Sequence, residues 1–203
     1  MTREAALEGP TGVATAGTDN RRLDIIRAAA RLFATRGYAG TSMRDIAAAV
    51  GMLPGSLYYH FPSKDMLIEE IFIAASAALG AAVAEALVGL EDPWQRLERA
   101  CIAHLEARLS QGGLATVIAT ESLRSPPSLR ARLVVHLDRY EALFVGLVQA
   151  LDLPPEIDRS IYRLSLLGTL NAVELWYRPD GKTPDYIARQ IFAIYDSRRP
   201  DRR

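Results

Sequence analysis

The residues of this chain that could do chemistry crowd into one short stretch. Between positions 42 and 64 stand Ser42, Arg44, Pro54, Gly55, Ser56, Tyr58, Tyr59, His60 and Lys64. The chemistry such a set offers is contact with phosphates and with the edges of bases. An arginine fork matches the O6 and N7 acceptors of guanine, a contact worth about 1–3 kcal/mol of discrimination. Arg44 is the candidate for that contact. Its charge near a helix start opposes the helix dipole, which suggests that it serves a partner rather than its own helix. Lys64, also at a helix start, suits a phosphate. Pro54, Gly55 and Ser56 give a helix a low-profile tip, where free backbone N–H groups and the Ser56 hydroxyl can meet phosphate or base edges. Tyr58, Tyr59 and His60 follow along that helix as aromatic donors.

Two short helices must position these groups. Ser42 caps the first, with Asp45 at the capping-box position, and Ile46, Ala47 and Val50 form its apolar side. Gly51 ends it. Pro54 opens the second, where a missing N–H costs nothing. Leu57 and Phe61, four residues apart, face inward against Ile46 and Val50. Two short helices joined by a tight glycine turn have the shape of a helix-turn-helix, and a slim leading end fits a major groove about 12 Å wide. The plainer reading of the same text is a solvated polar face at Tyr59, His60 and Lys64, with Tyr58 half in the core.

Helical periodicity runs through almost all of the chain. Leu23, Ile26, Ala30 and Phe33 share one face of a helix capped by Asp19 or Asn20 and stopped at Gly37. Ser63 caps a long helix reaching about residue 88. Proline and glycine punctuation then predicts helices over 93–110, 114–123, 127–151, 156–177 and 184–195. No alternating strand pattern competes. The expected fold is all-α, with about nine helices. Residues 1–19 read as a disordered arm, 20–64 as the helix-turn-helix unit and 65–203 as a larger helical body.

Charge divides the chain in the same place. Lys and Arg together number 24, as do Asp and Glu, so the net charge is zero and a uniformly basic coat protein is excluded. Yet residues 21–64 hold Arg21, Arg22, Arg27, Arg31, Arg36, Arg44 and Lys64 against Asp24 and Asp45 alone. A basic segment before a mildly acidic body points to different partners for the two parts. The arginines ahead of Ser42 read as solvated helix charges adding a general phosphate attraction. One cysteine makes neither an internal disulfide nor a cysteine zinc site, and fits a reducing cytosol. No secretory signal is visible at the start. Between Glu70 and Glu91 only Glu85 is charged. This window is alanine-rich and lacks an aromatic belt, so it reads as a buried bundle helix rather than a membrane span.

The body carries no glycine-rich phosphate loop, paired-histidine metal motif or nucleophile elbow. Polar residues embedded in apolar helix text are its most informative feature. His104, Glu121, Tyr140, Asn171 and Glu174 accompany Phe72, Val117, Ile118, Phe144 and Leu167. A bundle interior with a few convergent polar groups is a small-molecule site, and the expected members are Phe72, His104, Val117, Glu121, Tyr140, Phe144 and Asn171. Cys101 reads as a small buried apolar residue. Near the end, Ile161, Ser165, Gly168 and Ala172 form a stripe that permits close helix approach, and Leu175, Trp176, Ile187, Ile191 and Ile194 add apolar area.

The residues 28–33 (AAARLF), 37–47 (GYAGTSMRDIA), Gly51 and 55–67 (GSLYYHFPSKDML), in this order and spacing, resemble the N-terminal domain of TetR-family transcriptional regulators. The resemblance covers about a quarter of the chain. It implies an all-α, cytoplasmic homodimer with no cofactor, no enzymatic activity and no membrane. The dimer would pair through the last two helices, and the larger domain would hold a ligand pocket. By the same resemblance Ser42, Tyr59, His60 and Lys64 match phosphate-contacting positions, while Arg44, Leu53, Pro54, Gly55, Ser56 and Tyr58 match positions at or near bases. Leu53 and Pro54 stand where relatives often carry polar residues, so direct hydrogen-bonded readout rests heavily on Arg44. The turn Trp176-Tyr177-Arg178-Pro179 resembles a branch that answers to acyl-CoA esters in lipid or steroid breakdown. The implied function is a repressor that holds a palindromic double-stranded DNA operator and is released by a small effector. An activator or ligand-independent regulator on the same scaffold is the alternative. An α-helical enzyme using His104, His136 and Glu121 is the reading from another class.

Overall fold

A computed structural model describes residues 14–110 and 126–198, with side chains from residue 20 onward. Eight α-helices lie among these residues: α1 Ala14–Arg36, α2 Met43–Ala49, α3 Pro54–His60, α4 Lys64–Ala86, α5 Pro93–Ser110, α6 Pro127–Gln149, α7 Arg159–Ala172 and α8 Pro184–Tyr195. No strand occurs among them. The helix expected over 114–123 lies outside the described residues. Helix α1 begins at Ala14, ahead of the expected cap at Asp19 or Asn20. Where the sequence predicts one helix over 156–177, α7 closes at Ala172 and passes into a 3-10 turn, Val173–Leu175.

Local chemistry accounts for the helix starts near the basic segment. Ser42 and Asp45 form a reciprocal capping box: the Asp45 amide donates to the Ser42 hydroxyl at 3.2 Å, and the Ser42 amide donates to Asp45 Oδ2 at 2.8 Å. The Ser42 hydroxyl and amide hold the Asp45 carboxyl below its usual range. Gly51 takes a positive φ of 63°, which lets the chain reverse between α2 and α3. Ser63 caps α4 by accepting the Met66 amide.

Two apolar cores run along the molecule. The first gathers Ile25, Ile26, Phe33, Ile46, Leu57 and Phe61 with residues from the first half of α4 and Leu129 and Leu133 at the start of α6. The second holds Leu79 and Val83 from the end of α4, together with much of α5, α6, α7 and α8. Helix α4, long and apolar enough to cross a membrane by composition, serves instead as a shared rod. Leu67, Ile68, Ile71 and Phe72 are buried in one core, and Leu79 and Val83 in the other. Phe72 therefore departs from its expected place at the small-molecule site: it packs in the core of the helix-turn-helix, where its side chain is fully enclosed.

Several basic side chains expected to face solvent or phosphate brace this unit. Arg21 donates to the Val50 carbonyl at 2.9 Å. Arg22 reaches the His60 carbonyl at 3.2 Å, pairs with Glu70 at 2.9 Å and covers the Phe61 ring at 4.4 Å. Lys64 donates to the carbonyls of Tyr38 at 2.7 Å and Thr41 at 2.9 Å, with its ammonium 4.1 Å from the Tyr38 ring centre. Two of its three N–H groups are thus committed to the loop between α1 and α2. Charged hydrogen bonds of this kind contribute about 1.5–3 kcal/mol each. Replacing Lys64 with Met should lower the free energy of unfolding by about 1–3 kcal/mol in denaturant titration. An unchanged midpoint would mean that Lys64 is held only for an outside partner.

Candidate nucleic-acid interface and interior polar site

The second short helix stands out from the molecule. Leu57 and Phe61 anchor it from beneath, at 0% and 1% exposure, as the four-residue spacing requires. Everything else along it faces outward except His60, which is half-buried. Leu53 is 76% exposed and Tyr59 86%, and Pro54, Gly55, Ser56 and Tyr58 are exposed as well. Burying apolar surface normally stabilises a fold by about 25 cal/mol per Å², so a leucine and two tyrosines left bare on one short helix form an unused contact face. Tyr59 and His60 meet edge to face, 5.7 Å apart. A Cβ added at Gly55 would meet nothing within 4 Å. Glycine inside a helix is unfavourable by about 0.5–1 kcal/mol relative to alanine. No neighbour within the fold demands it here, so its bare backbone suits close approach from outside.

Arg44 projects from α2 beside this helix, exposed and without an ion-pair partner among the described residues. Its guanidinium is available as a whole. Ser42 is exposed, but its hydroxyl is engaged with Asp45 Oδ2 at 2.5 Å, leaving its remaining lone-pair capacity outward. Thus Arg44, Pro54, Gly55, Ser56, Tyr58 and Tyr59 form one outward face. Ser42 and Lys64 lie at its edge with internal duties already assigned.

Inside the body, part of the expected small-molecule site does assemble. His104 from α5, Tyr140 and Phe144 from α6 and Asn171 from α7 converge. His104 Nδ1 lies 2.5 Å from the Tyr140 hydroxyl, and its Nε2 lies 3.1 Å from Asn171 Oδ1. The His104 ring stacks on Tyr140 at 5.7 Å and meets Phe144 edge-on at 5.9 Å. Burial first, then the nearby Arg108 charge, holds the His104 pKa down to about 3, against the opposing effect of the Asn171 hydrogen bond. The imidazole is therefore neutral. The consistent proton assignment has Nε2–H donating to Asn171 and Nδ1 accepting from Tyr140. Both ring nitrogens are then occupied, which removes His104 from the metal-site reading. His136 lies instead beside Glu69 at 3.5 Å. Val117, Ile118 and Glu121 lie outside the described residues.

Two features of this interior carry too weak a sequence signal to single out. Arg108, one turn after His104 on α5, is 5% exposed and pairs with Glu174 at 3.0 Å. Its position in the last turn of α5 looks like an ordinary favourable dipole charge. The second is a latch between α4 and α6. Arg132 donates to Glu69 at 3.1 Å and lies 3.9 Å from Asp65, whose carboxylate also accepts the Tyr38 hydroxyl. It links the start of α4, next to the exposed helix, to the body.

An exposed, glycine-tipped helix held by a tight turn on a three-helix base, ahead of a helical body with its own polar interior, defines a helix-turn-helix DNA-binding regulator. Residues 25–71 match the family described as bacterial regulatory proteins, tetR family, and residues 90–195 match the tetracyclin repressor-like C-terminal domain. The chain belongs to the TetR family. It is 30% identical over 198 residues to the HTH-type transcriptional repressor KstR2 of Rhodococcus jostii, covering 89% of this chain and 91% of that one. Its fold superposes on the ketosteroid transcriptional regulator KstR2 of Mycobacterium tuberculosis with a TM-score of 0.72 and 26% identity, covering 86% and 92% of the two chains. AibR, in a structure with isovaleryl coenzyme A and operator DNA, gives a TM-score of 0.75 at 26% identity, covering 86% of this chain and 97% of that one.

The neutral His104 sets a pH dependence. Its folded pKa lies below its unfolded value of about 6.5, so the unfolded chain takes up the extra proton. Stability from this residue is complete above pH 6.5 and falls as pH drops toward 3. Urea midpoints should decline between pH 7 and 5, before most carboxylates titrate. A His104→Leu variant, though less stable throughout, should show a flatter decline. Equal slopes for the two chains would contradict the buried neutral assignment.

Proposed function

We propose that this chain is a ligand-responsive transcriptional repressor of the TetR type. It binds a palindromic double-stranded DNA operator as a homodimer and is released by a small acyl-CoA-like effector. The single observation that carries the reading is the bare face of α2 and α3. Arg44 is unengaged, the α3 tip lacks a side chain at Gly55, and Tyr58 and Tyr59 are left in water above a fully buried Leu57. Arg44 reads a guanine, Leu53 and Pro54 lie against thymine methyls, and Ser42, Ser56, Tyr59, His60 and Lys64 lie along the phosphates.

The dimer reading draws on a second bare surface. Ile161 and Leu164 on α7, Leu175 and Trp176 after it, and Ile194 on α8 are each more than half exposed. Apolar residues gathered on two adjacent helices mark an association face. The exposed Gly168 on α7 has open space where a Cβ would stand, which allows a partner helix to come close. A two-fold pair built there presents two copies of α3, which reach successive major grooves when about 34–36 Å apart.

The effector reading draws on the interior cluster of His104, Tyr140, Phe144 and Asn171, with Val117 and Glu121 retained as candidates. It also draws on the names of the relatives: a ketosteroid regulator and a regulator solved with an acyl-CoA. Such an effector acts by binding the DNA-free arrangement more tightly than the DNA-bound one. The relatives are regulators without stated catalytic roles, and the working place of the chain is the cytoplasm, where its operator lies.

DNA selection on the purified protein should return an inverted repeat. Arg44→Ala should lose about tenfold in affinity and relax the preference at one position of each half-site, in line with one lost bidentate contact. Tyr59→Ala should weaken all sequences alike. A selection that returns no palindrome, or an Arg44→Ala chain that binds as the parent does, would overturn the reading.

A further inference from the structure

Helices α4 and α6 enclose a cleft of about 350 Å³ whose contents the fold leaves unexplained. Ile73, Ala77 and Gly80 from α4 and Leu143 from α6 form apolar walls. At Gly80 a Cβ would come within 3.8 Å of Leu143, so the absence of a side chain there keeps the cleft open. Its polar lining comes from Ser76, His136, Arg139 and Tyr140, and no carboxylate lines it. The Ser76 hydroxyl is buried and has no hydrogen-bond partner. A serine within a helix ordinarily bonds back to the carbonyl one turn earlier, and a buried hydroxyl left unpaired is unfavourable by about 1–3 kcal/mol. Arg139 is exposed and has no ion-pair partner among the described residues. On the inner side, Tyr140 joins this cleft to His104.

An unpaired donor, apolar walls and a free cation, with no negative group facing them, complement one kind of molecule. We infer that the α4–α6 cleft is a binding site for a short-chain acyl compound. The chain lies against Ile73 and Leu143, the Ser76 hydroxyl donates to the acyl carbonyl, and Arg139 meets the negative charge nearby. That charge is the carboxylate of a free acid or a phosphate of a coenzyme A thioester. The volume lies near the lower end of the range for ligand sites, about 300–1,000 Å³, which favours a short chain. An occupant there pushes directly on α4, the helix whose other end begins next to α3. This inference rests on the effector reading above and gives it a location and a chemistry.

Cysteine labelling tests the location even before the effector is identified. The one native thiol, Cys101, is buried, so a cysteine at position 76 would be the accessible one. Ser76→Cys is treated with hexyl methanethiosulfonate, and operator affinity is measured before labelling, after labelling and after reduction with dithiothreitol. The expected result is complete labelling, at least a tenfold loss of affinity and recovery on reduction. The same reagent on Ala81→Cys, at an exposed position of α4 outside the cleft, should leave affinity unchanged. A thiol at 76 that does not react, or one that reacts without effect, overturns the location. The chemistry is tested by calorimetric titration of the parent with isovaleryl-CoA, hexanoyl-CoA, the two free acids and coenzyme A alone. Acyl compounds should bind and coenzyme A alone should not, and Ser76→Ala should weaken the acyl compounds about tenfold. Preference for acids or for thioesters identifies the source of the charge. A parent that binds none of the panel, or binds coenzyme A equally well, overturns the acyl class. Absence of operator binding by the unmodified parent would defeat the repressor reading instead, and the titration would still decide the cleft.

Discussion

Helix α4 must satisfy two cores at once, and the rest of the molecule is arranged around that requirement. Its first half contributes Leu67, Ile68, Ile71 and Phe72 to the core beneath the DNA-reading helices, and its second half gives Leu79 and Val83 to the body. Close-packed interiors transmit displacement rather than absorb it. A helix shared in this way cannot tilt at one end without repacking the other. Leu129 and Leu133 reinforce the coupling, since the start of α6 is buried in the DNA-reading core as well. The boundary between reader and body is therefore one of function, not of packing.

Polar contacts set how that rod can move. At its start, Asp65 and Glu69 meet Arg132 across the α4–α6 seam. These groups are partly exposed, and such pairs contribute only about 0–1 kcal/mol, which makes them easy to exchange. The interior contacts are of a different kind. His104, Tyr140 and Asn171 are enclosed, and removing one partner leaves the others desolvated without compensation. The body thus holds a stiff polar knot next to a weak latch. A ligand that alters the seam between α4 and α6 acts on the latch while the knot keeps the remaining helices in register.

Much of this is legible in the sequence because the signals are local. The capping box at Ser42 and Asp45, the turn glycine and the inward pair Leu57 and Phe61 depend on neighbours three or four residues away, and the structure has each of them. What sequence does not show is a partner far along the chain. Lys64 reads as a phosphate ligand until the carbonyls of Tyr38 and Thr41 are found beside it. Arg21 and Arg22 read as solvated charges, yet they brace Val50, His60 and Phe61. Phe72 reads as a companion of His104 because both stand in apolar helix text, but periodicity does not say which of two cores a residue on a shared rod will join. His104, Tyr140, Phe144 and Asn171 are recoverable because polar residues inside apolar helix faces need one another.

The central claim is that the tip of α3 is kept bare for a partner, and Gly55 tests it most directly. Open space surrounds the place where its Cβ would stand, and alanine is the better helix former, by about 0.5–1 kcal/mol. Unfolding stability and operator affinity are measured together for Gly55→Ala. The account predicts opposite changes: the variant is at least as stable as the parent and binds its operator more weakly. A variant that gains stability and binds DNA as tightly as before would contradict it.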